Sequence, residues 1–274
     1  MNKREYAAEV CKHLNKAGFE TKIEENYRNN ASKVAIMVKR PDKKVSPVFC
    51  VEDDSITAEE FAENIMSFEP VDISTDSLEE VMFEKEKVLE RVHYILVNKE
   101  MNRSRKHIVR RQINRTLELQ YKVDISDILD GARVALEDRR IEKLGIDSDE
   151  LYFRAYENTM KKFPVIIKPI GELIGCDFLD DIPGLYVLTN SSMIYGAGAV
   201  LYKGVKELLE DTVAEETIIL PSSVHEVIVI PSYLGQIDTL TQMIREINRS
   251  VVSPEEVLSD RPYELITDGV LFEL

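Results

Sequence analysis

The stretch Thr217-Ile-Ile-Leu-Pro-Ser-Ser-Val-His-Glu-Val-Ile-Val-Ile230 carries two short apolar runs, Thr217–Leu220 and Val227–Ile230, around a knot of polar residues. Both runs have the length of a strand. Successive side chains of a strand point to opposite faces. Val227–Ile230 is apolar at every position, so both of its faces are apolar and it belongs inside a sheet. Downstream, Ile237, Leu240, Ile244, Ile247 and Val251 recur at helical spacing. One apolar stripe of that kind predicts an amphipathic helix packed on the sheet.

Working outward, Leu117, Leu119, Tyr121, Val123 and Ile125 alternate with polar residues, the pattern of a half-buried strand. Asp130-Gly131 marks a turn, with Ala132–Leu136 as the returning partner. Helices are expected over Ser148–Lys161 and Val200–Leu209, and a strand over Leu185–Thr189. Ser253-Pro-Glu-Glu256 reads as a further helix start, with proline where no amide is missed. In the N-terminal part, Tyr6, Val10, Leu14 and Ala17 describe a helix ended by Gly18. Strands follow at Glu20–Glu25 and Lys33–Lys39 around Asn29-Asn30, and at Pro47–Val51. Thr57 with Glu60 and Ser77 with Glu80 are capping boxes. The first opens a helix burying Phe61, Ile65 and Phe68. The second opens one running through Val88, Leu89, Val92, Ile95 and Leu96. The expected fold is α+β, with mixed or antiparallel sheets and packed helices. An N-terminal helix-plus-sheet module covers 1–85 and a larger C-terminal module 86–274, the boundary falling within 70–116.

The 274 residues are 44% hydrophobic, enough for a folded core, and carry 50 acidic against 35 basic residues for a net charge of -15. Such a charge repels bulk DNA and anionic membrane surfaces. No apolar run approaches the roughly 20 residues of a spanning helix, and the charged start Asn2-Lys3-Arg4-Glu5 has no apolar signal core. Three scattered cysteines, Cys11, Cys50 and Cys176, offer no disulfide framework or zinc ribbon. A cytoplasmic protein is expected, with no cofactor, no metal and no membrane partner.

Several unusual strings stand in order along the chain. They are Arg28-Asn29-Asn30, Val45-Ser46-Pro47, Leu96-Val97-Asn98 with Asn102, Asn158-Thr159, and Leu188-Thr189-Asn190 with Gly196-Ala197. After them come Ile219–Ile228, Met243–Asn248 and Glu256–Asp260. Together they resemble a bacterial family of domain-of-unknown-function proteins of about this length. The C-terminal half is similar to a broader uncharacterised family sharing the Leu-Pro-Ser-Ser-x-His-Glu string. The resemblance covers nearly the whole chain and implies no activity.

The densest chemistry is Ser222, Ser223, His225 and Glu226. Histidine moves protons near neutral pH, and serine can be a nucleophile or a phosphate ligand. In an extended backbone Ser223 and His225 share a face and Glu226 takes the other. Asn190, at the end of a neighbouring strand, is expected to join the unit. The competing reading is a polar network satisfying backbone groups at a strand end. His225-Glu226 also begins like a zinc-protease helix, but Val229 stands where the second histidine is required. Tyr195-Gly-Ala-Gly198 hints at a phosphate loop, yet Leu201 breaks a dinucleotide fingerprint. Tight packing is the better account of these glycines. Carboxylates at Glu52-Asp53-Asp54 and at Asp177, Asp180 and Asp181 lack calcium-loop spacing.

Lys99–Arg115 is the one basic island, with seven cations and the single acid Glu100. As a helix it would align Lys99, Arg103, Lys106 and Arg110 in one stripe. Such a stripe can bind phosphates or pair with the protein's own acids. Three functional readings therefore compete. The favoured one is a non-enzymatic binding or regulatory protein, its acidic surface suited to a protein partner. The second is a hydrolase built on Ser222, Ser223 and His225. The third is a phosphate or nucleic-acid binder using residues 99–115, with Arg103, Lys106 and Arg110 as contacts.

Overall fold

The computed structural model describes residues 2–39, 46–52, 55–69, 75–174, 184–214 and 216–274. Cys176, Asp177, Asp180, Asp181, Asp53 and Asp54 lie outside them, as does most of the break expected at Pro70–Asp76. In chain order the elements are α1 (Lys3–Lys16), β1 (Glu20–Arg28), β2 (Ala31–Lys39), β3 (Val48–Cys50), α2 (Ala58–Ser67), α3 (Thr75–Phe83) and α4 (Lys85–Arg91). There follow β4 (Val92–Asn98), β5 (Arg110–Gln112), β6 (Leu117–Asp124), β7 (Arg133–Ala135), α5 (Asp138–Leu144), α6 (Ser148–Lys162), β8 (Val165–Pro169) and α7 (Ile170–Ile174). The last are β9 (Tyr186–Asn190), α8 (Val205–Thr212), β10 (Thr217–Pro221), β11 (Val227–Pro231), α9 (Ile237–Ser250), β12 (Tyr263–Thr267) and β13 (Val270–Glu273). A 3₁₀ turn spans Gly196–Leu201. The fold is α+β, with three antiparallel sheets among the described residues.

The first sheet, β1-β2-β3, turns at Asn29-Asn30 and packs on α1 and α2 through a core of Tyr6, Val10, Leu14, Ile36 and Ile65. The third sheet runs β13-β12-β10-β11-β9-β8. Strand β11 is interior, as its double-faced apolarity requires. Val227 and Val229 enter the large core, while Ile230 meets Leu240 and Ile244 of α9 on the opposite side.

The second sheet departs most from the alternation rule. Strand β6 pairs with β4 along one edge and with β5 and then β7 along the other. Leu117, Leu119, Tyr121 and Val123 fill the core as expected. The polar row is not in water: Glu118, Gln120 and Asp124 are buried as well. The strand is covered on both faces, and its polar face becomes an interior that must satisfy itself by hydrogen bonding.

Other expectations are corrected. Val92, Ile95 and Leu96 continue no helix: the chain leaves α4 at Arg91 and enters β4, because burial on both faces suits a strand rich in β-branched residues. Ser77 lies inside α3 rather than at its start. Phe68 is 45% exposed, although its ring meets Phe49 edge-on. Val200–Leu209 is two pieces, broken where Gly204 adopts a left-handed backbone at φ 83°. Ser253–Glu256 makes a turn only, its carbonyls at Pro254, Glu255 and Glu256 being taken by Asn30, Asn29 and the Val224 amide.

Asparagines join the three sheets. Fully buried Asn102 donates from Nδ2 to Asn29 Oδ1 (3.0 Å), Asn30 Oδ1 (2.9 Å) and the Asn98 carbonyl (2.8 Å), and its Oδ1 accepts the Asn30 amide. Asn29 and Asn30 reach on to the carbonyls of Glu255, Pro254 and Val257, and Asn98 to that of Leu258. An unpaired buried polar group costs about 1–3 kcal/mol. Asn102→Ala strands several at once, so its unfolding free energy in urea should fall by about 3 kcal/mol. A loss below about 1 kcal/mol would show that the lock is dispensable.

Candidate functional site

The hairpin between β10 and β11 places the Ser-Ser-x-His-Glu string. It is a tight turn, not an extended lead-in: the Ser223 amide donates to the Glu226 carbonyl (3.1 Å). The turn brings Glu226 back over the serines, reversing the expectation that it points away. Ser222 Oγ and Ser223 Oγ donate to Glu226 Oε1 at 3.1 and 3.0 Å. Ser223 Oγ also accepts the His225 amide (3.0 Å). His225 turns elsewhere. Its Nδ1 accepts the Tyr195 amide (3.1 Å), and since an amide can only donate, the imidazole carries its proton on Nε2. Nε2 lies 3.7 Å from Glu256 Oε1. Ser222, Ser223 and His225 are thus neighbours in a turn, but the hydroxyls have a carboxylate partner in place of the imidazole.

Asn190 builds the adjoining loop. It is buried, with Oδ1 taking the amide and hydroxyl of Ser192 and Nδ2 donating to the Ile194 carbonyl. This loop ends in Tyr195, held in a left-handed conformation at φ 53°. An aromatic residue in that region is strained, and the surroundings must impose it. Gly196 follows because nothing else fits: an added Cβ would lie 2.1 Å from Thr189 Oγ1 and 2.6 Å from the His225 carbonyl. The glycines of Tyr195–Gly198 serve packing.

Tyr195 and His225 form one wall of a cleft of about 490 Å³ where the three sheets meet. Arg28 and Asn29 come from the first sheet, Arg105, Lys122 and Arg133 from the second sheet and the turn beside it, and Glu255 and Glu256 from the loop before β12. Lys122 Nζ sits 4.1 Å from the centre of the Tyr195 ring. Arg133 lies over Phe163. Arg105 donates to Gln120 Oε1 (2.8 Å), while its Nε is buried without a partner. Among the described residues, none of Arg28, Arg105, Lys122 and Arg133 forms a salt bridge. Burial, then Arg105 and Arg133, push the Lys122 ammonium down to about 8. Burial also lowers Arg105, with Arg110 adding to it.

The basic island does not form a helical stripe. Residues 99–107 are turns and Arg110 lies in β5. Arg103 pairs with Glu100 on the surface. Arg110 pairs with buried Glu118 (3.0 Å) and donates to the carbonyls of Asn102 and Arg105. Lys106 is exposed. Only Arg105 of the island reaches the cleft. Lys122 and Arg133 escaped notice because single cations in strands read as solvent-facing; the signal was the polar row of β6.

A family model for a family of unknown function, DUF5688, matches residues 3–265. The chain belongs to that family. Searches of curated proteins and of solved structures returned no match. No helix among the described residues of this DUF5688 chain is long and apolar enough to cross a membrane.

A second depression in the DUF5688 chain, about 440 Å³, surrounds His93, but its charges cancel in pairs. Arg91 holds Asp127 (2.6 Å) and Lys162 holds Asp124 (2.5 Å). Burial opposes the Asp124 carboxylate, yet Lys162 and Ser126 keep it well below its usual range. His93 is buried against Phe163, its Nδ1 without a partner. Burial first, then Lys162, push it down from 6.5 to about 4, against the opposing pull of Asp124. The folded state therefore binds this proton less readily than the unfolded chain. The stability tied to neutral His93 is complete above pH 6.5 and is lost as pH falls toward 4. At full size it amounts to at most about 3 kcal/mol. His93→Phe should flatten this part of the pH–stability curve in urea titrations. Parallel curves for variant and wild type would contradict the assignment.

Proposed function

We propose that this protein binds a small anionic ligand, of the phosphate or carboxylate class, in the cleft between its three sheets. The observation that carries the reading is the convergence of Arg105, Lys122 and Arg133 in one cleft without carboxylate partners among the described residues. In a chain with 50 acids, cations normally find acids. Like charges gathered and partly desolvated repel one another, and a bound anion relieves that cost. The Arg105 guanidinium, which lines the cleft without a carboxylate partner, supplies donors, and His225 Nε2–H another on the facing wall. This favours the binding-protein reading and keeps the phosphate-class chemistry of the third one, at a different residue set. Arg103, Arg110 and Arg111 face Glu100, Glu118 and Asp149, which gives a nucleic-acid surface at 99–115 little support. The hydrolase reading lacks a contact between the His225 imidazole and a serine hydroxyl: the ring meets the Tyr195 amide and the hydroxyls meet Glu226. The family-like strings along nearly the whole chain, and the free thiols of Cys11 and Cys50, support a bacterial cytoplasmic protein.

Sulfate at millimolar concentration should raise the melting temperature and give a saturable heat of binding. Arg133→Gln should weaken it about tenfold, the loss of one charge-assisted contact. Sulfate does not titrate near neutrality, so its pH dependence reports the cleft. Arg28, Arg105, Arg133, His225, Glu255 and Glu256 surround Lys122; of the group, Lys122 is the one displaced to about 8. Affinity should hold below pH 8 and fall above it as the ammonium deprotonates. No heat and no thermal shift with sulfate or phosphate would refute the reading.

A further inference from the structure

Lys122 is an amine of unusual placement. It projects from the interior strand β6, half-buried, into a cleft it shares with Arg105 and Arg133. Its one described contact is the face of Tyr195, at 4.1 Å, and no carboxylate among the described residues holds it as an ammonium. A lysine next to other cations in a desolvated pocket loses its proton at lower pH, and a neutral amine is a nucleophile. Burial with the two arginines has that effect here. The Tyr195 ring holds the side chain toward the open cleft, and its strained backbone is pinned by His225.

We propose that Lys122 forms an imine with an aldehyde or ketone that carries an anionic group. The inference rests on the anion-binding reading of the same cleft. The arginines take the anion, which brings the carbonyl carbon to Nζ. The lone pair of neutral Lys122 attacks that carbon and forms the C–N bond. The carbonyl oxygen leaves as water, taking both hydrogens of the amine, and the C=N bond remains. No oxidant or reductant is consumed. His225 Nε2–H lies on the cleft wall as a donor for the carbonyl oxygen.

The test uses the full chain with glyoxylate, a carboxylate, and in parallel glyceraldehyde 3-phosphate, a phosphate ester. Cyanoborohydride reduces any imine to a stable secondary amine, and peptide mapping locates it. Lys122 should be labelled at least about tenfold faster than the surface lysines, and sulfate should slow its labelling. The faster of the two probes identifies the anion class. Lys122→Arg should lose the label, with labelling of the surface lysines unchanged. Labelling of Lys122 no faster than of surface lysines, with the sulfate shift intact, overturns the imine and leaves the binding site. Loss of both effects in wild type overturns both. The wild-type map decides the matter even if Lys122→Arg fails to fold.

Discussion

One fully buried side-chain amide, that of Asn102, ties the three sheets to one another. Its Nδ2 has two hydrogens and three acceptors within reach, so one hydrogen is shared. Through Asn29 and Asn30 it holds the tip of the first hairpin, and through them the carbonyls of residues 254, 255 and 257. Its own carbonyl accepts from Arg110, which pairs with Glu118 in the floor of the second sheet. An apolar contact would join these elements at many registers. Hydrogen-bonded amides in a low-dielectric interior join them at one, because any slip leaves polar groups unpaired.

That fixed geometry explains how an acidic protein keeps a cationic cleft. Glu118, a buried carboxylate of β6, is spent on Arg110 and on the Gln120 amide. Gln120 passes its carbonyl oxygen to Arg105, a neutral partner that orients the guanidinium without discharging it. Lys122, next in the row, receives an aromatic face instead of an acid. Glu255 is engaged by Lys33 at 2.6 Å and Glu256 lies beside His225. The carboxylates that line the cleft are therefore engaged by Lys33 and His225, and Arg105, Lys122 and Arg133 keep no acid among the described residues.

Much of the architecture was legible in the sequence, because it follows from periodicity. The double-faced run Val227–Ile230 and the Thr57–Glu60 capping box formed as their patterns require, and the helix from Ile237 packs through Leu240 and Ile244 while Ile247 and Val251 stay exposed. Errors arose where tertiary context overrides a local signal. Val92–Asn98 continues a helical spacing but is buried on both faces, and becomes a strand. The serine–histidine string was legible as a polar unit but not in its geometry, since a hairpin turn and an extended strand present Glu226 to opposite sides. The asparagines stood out in the sequence, yet their partners lie up to 227 residues away, a separation no local pattern carries. Lys122 and Arg133 are single residues in strands, and only the folded sheet shows that their face is covered.

The proposed anion site lies between Arg105, Lys122 and Arg133. The most direct measurement is a crystal structure grown with selenate, whose anomalous scattering locates the ion independently of the protein. The expected result is a selenium peak between the Arg105 and Arg133 guanidinium groups and Lys122 Nζ, with the Asn102 contacts preserved. An empty cleft at saturating selenate, or ions found only at the surface lysines, would contradict it.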